Sequence, residues 1–330
     1  MDEPTPHQAE KLKLVSQDED FHIRAAAGAG KTFVALNHLV KMLEENKRCL
    51  YVARNPSLCF SVVKWLEKRL RSFRPLSRLT LLYEPLERPR AIKISKGRIV
   101  TELAAEDLAF DLVVVDEAHH VYRDATLRAR VEKRFRAGAR RLILSDLSQS
   151  DGREIPYPPM RETELTEVVR SSKRVVAGAM QFQLGGEVKL LTQCHHDSTG
   201  PPLKSFLFDV GDDDRYDKYA DETARAIDAV VKDFPGLSLH DRVAVVLPDE
   251  QFRKELKLRV ESKLDIKYEG RYKLVRTAEA AAVVKDLRTG RKELADRVYS
   301  SVPAADFGCR QQVDIGFYSG KSNIQFWLHE

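Results

Sequence analysis

Apolar residues in the first half of the chain follow two different periods. From Phe33 to Asn46 they recur at Leu36, Leu39, Val40 and Leu43, which lines one face of a helix. Arg48 to Ala53 (R-C-L-Y-V-A), Phe110 to Asp116 (F-D-L-V-V-V-D) and Arg141 to Asp146 (R-L-I-L-S-D) are instead short apolar runs, and Asp20 to Ala27 is another that ends in small residues. Such runs read as strands covered on both faces, the pattern of a parallel sheet between helix layers. Asn55 can cap a further helix, with Pro56 at its first position, running to about Arg71. Thr126 to Ala137 reads as a basic helix. Turn formers crowd Asp151 to Met160 and close an α/β domain over residues 1–160. A second α/β domain is expected over 161–300. It has helices at Glu162 to Phe182, Tyr216 to Phe234 and Glu250 to Lys263, and strands at Ser205 to Val210 and Arg242 to Leu247. Residues 301–330 lose the periodicity and read as a divergent tail.

Composition narrows the class. With 43% hydrophobic and 32% charged residues the chain has the material for a sizeable core, which excludes a disordered chain. No run approaches the roughly 18 apolar residues of a membrane span. The start Met1-Asp2-Glu3-Pro4 has no apolar run behind it of the kind a secretory leader carries. Cys49, Cys59, Cys194 and Cys309 are scattered, without the spacing of a disulfide framework or a ligand pair. These features predict an intracellular protein, cytoplasmic or nuclear, with no membrane partner.

The net charge of +5 permits a polyanionic partner without requiring one. The basic residues, however, are bunched. Lys64, Lys68, Arg69, Arg71 and Arg74 form one group; Arg123, Arg128, Arg130, Lys133, Arg134, Arg136, Arg140 and Arg141 form another. Phe60, Trp65, Phe73 and Phe135 lie among them. Basic groups with interleaved aromatics can neutralise phosphates and stack bases. The plainer reading is a solvated helix face, with Phe60 and Trp65 on its apolar side.

The strongest chemical signal is Ala25-Ala26-Ala27-Gly28-Ala29-Gly30-Lys31-Thr32, which follows a strand and opens a helix. Small residues at Ala27, Gly28, Ala29 and Gly30 let successive backbone N–H groups curl around phosphate oxygens, and the helix N-terminus adds its positive end. Lys31 can reach the β and γ phosphates of ATP, and Thr32 can place its hydroxyl on Mg²⁺. Ala25 stands where this motif usually has glycine, which is tolerable if its φ is negative.

Asp116-Glu117-Ala118-His119 ends an apolar strand, and ligands of open α/β sheets bind at the carboxyl ends of strands. Asp116 suits Mg²⁺, and Glu117 suits an attacking water. An acidic turn that merely ends a strand is the alternative, weakened by the phosphate loop upstream. His119-His120 and Cys194-His195-His196 raise the thought of zinc, but no further ligands stand at metal spacing.

Taken in order, these segments resemble the superfamily 1 helicases, of the branch that includes bacterial repair helicases and the helicase-like region of Schlafen proteins. Thr5-Pro6-His7-Gln8 resembles the family's Q motif, which implies that Gln8 reads the adenine. Tyr51-Val52-Ala53-Arg54-Asn55 sits where motif Ia contacts single-stranded nucleic acid. Ser145-Asp146-Leu147-Ser148-Gln149 resembles motif III, with Ser145 in place of glycine and Gln149 as the γ-phosphate sensor. Glu167-Val168-Val169-Arg170-Ser171-Ser172 resembles motif IV, with Val169 in place of the aromatic and Arg170 as an arginine finger from the second domain. Cys194 to Leu203, with Gly200-Pro201-Pro202, weakly resembles the Schlafen-type region. Motifs V and VI have no counterpart; Val275-Arg276-Thr277-Ala278-Glu279-Ala280 and Arg297-Val298-Tyr299-Ser300 stand in their place.

The resemblance implies two RecA-like P-loop NTPase domains with parallel sheets, the second incomplete or divergent. ATP and Mg²⁺ would lie at their interface. Lys31, Asp116, Glu117, Gln149 and Arg170 would be the catalytic residues, and single-stranded DNA or RNA the partner. The implied activity is a nucleic-acid-dependent ATPase. The alternatives are a nucleotide-dependent binding module that no longer unwinds, favoured by the missing motifs, and a P-loop kinase or signalling ATPase, which motif III and Arg170 argue against.

Overall fold

A computed structural model of the chain describes residues 3–15, 19–54, 56–95, 98–105, 108–135, 138–146, 155–180, 193–195, 197–201, 203–211, 213–235, 239, 243–269, 272, 274–275, 298–300, 313–315 and 323–326. Contacts divide the chain into two compact units, Met1–Asp197 and Ser198–Glu330.

In the first unit the elements run α1 (Pro6–Val15), β1 (Phe21–Ala25), α2 (Lys31–Glu44), β2 (Cys49–Ala53), α3 (Pro56–Arg69), β3 (Leu79–Tyr83), β4 (Arg90–Ser95), β5 (Arg98–Leu103), β6 (Leu112–Val115), α4 (Ala118–Arg123), α5 (Ala125–Glu132), β7 (Arg140–Asp146), β8 (Arg161–Leu165), β9 (Glu167–Val168), α6 (Lys173–Met180) and β10 (Gln193–Cys194). Eight strands make one sheet in the order β5-β4-β3-β2-β6-β7-β1-β8. From β3 to β8 all neighbours are parallel, and β4 and β5 add an antiparallel hairpin at one edge.

The continuous apolar runs are what a sheet buried on both faces demands. Leu112 and Val114 join Tyr51, Leu81, Leu142 and Leu144 in a core with α2 and α3, whereas Val113 and Val115 join Leu50, Val52 and Ile143 in a second core with α4 and α5. Each such side chain fully withdrawn from water contributes about 1.5–3 kcal/mol. Helix α2 ends in a Schellman turn. Asn46 takes the left-handed conformation at φ 59°, Lys47 N donates to Met42 O at 3.0 Å, and Asn46 N donates to Leu43 O at 3.0 Å. Helix α5 starts at Asp124, whose carboxylate accepts from the backbone N–H groups of Thr126 and Leu127.

The segment from Glu162, read above as a helix, instead begins as strand β8 beside β1. Thr163 and Leu165 are buried while Arg161, Glu162 and Glu164 are exposed, so its period is two rather than 3.6. The sequence places a division at 160; in the structure 161–165 completes the large sheet, and the units part between Asp197 and Ser198. The hairpin β4–β5 and strand β3 also lie outside the elements the pattern predicts.

In the second unit β11 (Lys204–Leu207), α7 (Arg215–Asp233), β12 (Val243–Val245), α8 (Glu250–Tyr268), β13 (Leu274–Val275), β14 (Val298–Ser300), β15 (Val313–Ile315) and β16 (Asn323–Phe326) follow in turn. A four-stranded parallel sheet has the order β13-β14-β12-β15, and β11 pairs antiparallel with β16. Ile227 and Val230 of α7 and Leu256, Val260 and Leu264 of α8 share a core with Val243 and Val245. Among the described residues no helix is long and apolar enough to cross a membrane.

Candidate active site

Strands β6, β7 and β1 are consecutive neighbours, so their carboxyl ends bring three loops together. Ala25, the last residue of β1, stands level with Asp146, the last of β7. Ala25 is an ordinary extended strand residue, which is why a Cβ is accepted there in place of glycine. The positive φ values fall further on, at Gly28 (80°) and Gly30 (89°). A Cβ on Gly30 would lie 2.2 Å from Gln8 Nε2, so this position requires glycine for space as well as conformation. Within the loop Ala29 is buried, Gly28 and Gly30 are half-buried and Ala27 is exposed.

Lys31 opens α2 and is buried, with Nζ 3.3 Å from Asp146 Oδ2. Burial works against its charge, but Asp146, Glu117 and Asp116 together hold the ammonium above its ordinary value. Thr32 Oγ1 donates to Asp116 Oδ2 at 3.1 Å, and Glu117 N donates to Asp116 Oδ1 at 2.9 Å. Glu117 occupies the left-handed region at φ 52°, which turns the chain at the strand end and brings both carboxylates to the site. Burial pushes the Glu117 carboxyl up to about 7; Lys31 and Arg170 pull it down, and Asp116 and Asp146 add to the rise. Buried Asp116 and Asp146 and half-buried Glu117 set three carboxylates around one lysine and leave excess negative charge. Thr32 and Asp116 present oxygen donors side by side, the donor type Mg²⁺ requires.

Three contributors to this site stand outside the sequence-based set. Asp146 is the partner of Lys31; its signal was its place at the end of an apolar strand, as with Asp116. Tyr51, in the segment expected to touch nucleic acid, is fully buried and donates its hydroxyl to Asp116 Oδ2 at 2.5 Å. Val52 and Ala53 are buried too, Arg54 pairs with Glu84 at 3.5 Å, and Asn55 lies outside the described residues. The third is His119, whose Nδ1 accepts from Asp146 N at 3.3 Å, so the neutral ring carries its hydrogen on Nε2, which lies 3.4 Å from Glu117 Oε2. Glu117, His119 and His120 each offer a ligand atom within 4.8 Å of the others. A metal on His119 Nε2 would need the other tautomer and would break the bond from Asp146.

Tyr51→Phe tests the hydroxyl contact. It removes one charge-assisted donor from a buried carboxylate, so chemical denaturation should read a loss of about 1–2 kcal/mol. A variant as stable as the parent would show that Asp116 does not depend on this bond.

Other expected residues are placed as follows. Gln8 is buried; its Nε2 donates to Ala29 O at 3.1 Å, and its Oε1 accepts from Thr5 N at 3.1 Å. Thr5 Oγ1 in turn accepts from Gln8 N at 3.2 Å, so Thr5-Pro6-His7-Gln8 forms the capping box of α1. Arg170, expected from the second domain, belongs to the first unit, where a Cβ on Gly28 would lie 3.5 Å from Arg170 Cβ. Gln149 lies outside the described residues. The Ser145 hydroxyl lies 2.7 Å from Nε2 of buried His22, whose Nδ1 lies 3.2 Å from Glu162 Oε1. Burial pushes the His22 pKa down against the upward pull of Glu162.

The basic groups differ in how they are spent. Arg130 donates to Pro85 O at 2.7 Å, Arg134 donates to Glu87 O at 2.8 Å, and Arg141 pairs with Asp20 and Glu132 at 3.1 Å each. Much of the 123–141 group therefore holds the chain to itself. On α3, by contrast, Lys64 and Lys68 are exposed, as are Arg71 and Arg74 just after it. Phe60 (40%) and Phe73 (46%) are exposed as well, so Phe60 is not on the buried side of α3.

Residues 5–145, all within the first unit, are similar to the DEAD/DEAH box helicase family. No curated protein matches the chain. Among solved structures, the Mycobacterium smegmatis helicase Lhr bound to ssDNA and AMP-PNP is similar at 16% identity with a TM-score of 0.50, over 91% of this chain and 40% of that one. The S. cerevisiae Dbp5 bound to RNA and ADP BeF3 is 11% identical with a TM-score of 0.49, over 91% of this chain and 70% of that one. The chain thus spans less than half the length of the Lhr structure. Its fold is α/β with a large, mostly parallel sheet of the RecA-like helicase type.

Proposed function

We propose that the chain is an ATP-binding, nucleic-acid-dependent ATPase of the superfamily 1 helicase type. The observation that carries this reading is the set of buried Lys31, Asp116 and Asp146 with half-buried Glu117 at adjoining strand ends, beside a loop with left-handed Gly28 and Gly30. Lys31 would exchange Asp146 for the β and γ phosphates. Thr32 and Asp116 would hold Mg²⁺, which when bound supplies positive charge to the phosphate oxygens. Glu117, oriented by His119, would position the attacking water and accept its proton, and Arg170 would offset charge that grows in the transition state. Gln8 would face the base, and Gln149 would couple the γ-phosphate to nucleic acid. The second unit, with its parallel sheet, would be a divergent second RecA-like domain.

Single-stranded nucleic acid is the proposed partner, on the exposed face of α3 and the residues just after it. The Lhr helicase was solved with single-stranded DNA and an ATP analogue, and this reading gives the present chain ligands of those two classes. The test is ATPase rate with and without DNA and RNA oligomers at two salt concentrations; a rate indifferent to both would sink the coupling. Replacing Lys64 and Lys68 together by Ala should weaken oligomer binding about tenfold at low salt. The log–log salt slope should fall in size by about 1.4, at roughly 0.7 per phosphate contact on a single strand. Unstimulated hydrolysis should not change. A second reading, a switch that closes on ATP without unwinding, is favoured by the sequences standing where motifs V and VI belong. A tailed-duplex unwinding assay separates the two.

A further inference from the structure

The phosphate loop is fastened to the chain on both flanks, and one carboxylate joins the fastenings. On one flank Gln8 Nε2 donates to Ala29 O, and Gln8 is itself locked to Thr5 by the reciprocal bonds of the capping box. On the other flank Val169 N donates to Gly28 O at 3.1 Å, and Val168 Cγ1 sits 3.3 Å from where a Cβ on Gly28 would be. That second flank is β9 and the bend that follows it at Arg170. Glu167 lies at its start. Its Oε2 accepts from Thr5 Oγ1 at 3.1 Å, and its Oε1 lies 2.9 Å from Nδ1 of His195. The Thr5 hydroxyl therefore donates to Glu167 while accepting from Gln8 N, which uses both of its capacities. Burial raises the Glu167 pKa, but its bonds to His195 and Thr5 outweigh this and hold the carboxyl below its ordinary value.

We propose that Glu167 is a positioning residue which, through Thr5 and Gln8, ties the phosphate loop to the segment bearing Arg170, so that both flanks of the nucleotide site hold one geometry. It touches neither nucleotide nor reacting atoms. It acts on the loop by way of Ala29 and on Arg170 through the backbone of Val168 and Val169. This rests on the ATP-site reading above. If the tether sets the site, loosening it weakens ground-state binding through the loop and transition-state stabilisation through Arg170, so KM rises and kcat falls together.

The test compares the parent chain with Glu167→Ala, Glu167→Gln, Thr5→Val and the double variant Thr5→Val/Glu167→Ala. The readouts are affinity for a fluorescent N-methylanthraniloyl-ATP, kcat and KM for ATP, and stability in denaturant. Glu167→Ala should lower kcat/KM about tenfold or more, shared between the two constants, with a matching loss of analogue affinity. Glu167→Gln should restore most of this, because its amide oxygen can accept from Thr5 and its amide nitrogen can donate to His195. Thr5→Val should resemble Glu167→Ala, and the double variant should be little worse than either single one. Additive losses, or losses that follow stability alone and are not rescued by Gln, overturn the tether. So does unchanged kinetics in Glu167→Ala while the parent binds and hydrolyses ATP. A parent chain that neither binds the analogue nor hydrolyses ATP overturns the ATP-site reading and the tether with it.

Discussion

Lys31→Ala will lower ATP hydrolysis by about 10²–10³ or more, the range seen when one preorganised donor aimed at charge growing in a transition state is removed. The same substitution will also destabilise the unliganded protein. Lys31 Nζ is 3.3 Å from Asp146, both side chains are buried, and Asp116 and Glu117 lie close enough to raise the lysine's pKa. Removing the one ammonium leaves these carboxylates uncompensated, at a cost on the order of 3–5 kcal/mol for a buried pair broken on one side. Pairing Lys31→Ala with Asp146→Asn separates the two effects. The double variant should regain much of the stability, because the charge that needed Lys31 is gone, and should regain none of the turnover. Recovery of hydrolysis would show that Lys31 serves Asp146 and not the phosphates. ATPase rate and denaturant midpoint, taken on the same preparations, decide the matter.

This dual role marks the limit of what the sequence could convey. A strand, a small-residue loop and Lys31-Thr32 opening a helix are local features, so the loop was legible, down to Ala25 being acceptable in an extended strand. Asp116 and Glu117 were legible for the same reason, since an apolar run that stops on two acids predicts its own place at a strand end. Tyr51 was not. Its run reads as a buried strand, but only the pairing of β2 with β6 sets its hydroxyl against Asp116, a contact across 65 positions of chain. Arg161–Leu165 misled because Glu, Arg and Leu also favour helices; the alternation of Thr163 and Leu165 against charged neighbours was the better guide. The basic run at 123–141 looked like a surface for polyanions because charge is visible in sequence and its partners are not. Arg130 and Arg134 are spent on the carbonyls of Pro85 and Glu87, whereas Lys64 and Lys68 remain exposed.

Glu117→Gln should separate turnover from stability in the opposite sense to Lys31→Ala. The amide that replaces the carboxylate could still hold a water but could not accept a proton, and loss of a general base costs about 10²–10⁴ in rate. In the parent, activity should rise with pH through the region near 7, as the carboxyl pushed up to about 7 gives up its proton. In the variant that limb should vanish. Stability moves the other way. A carboxyl whose folded pKa lies above its unfolded value binds its proton more tightly in the folded state. The penalty is therefore absent below pH 4.5, grows between 4.5 and about 7, and is complete above that. At about 1.4 kcal/mol for each tenfold change in proton affinity, it is on the order of 3 kcal/mol at pH 8. Glu117→Gln carries no such penalty and should melt at a higher temperature than the parent at pH 8, with the difference shrinking as pH falls toward 5. An inactive variant with a raised Tm at pH 8 is what a site strained by its own chemistry yields. If the variant kept full turnover, the base would lie elsewhere. If it lost turnover but its Tm advantage over the parent were no greater at pH 8 than at pH 5, the Glu117 carboxylate would not be the buried, crowded charge that its surroundings make it.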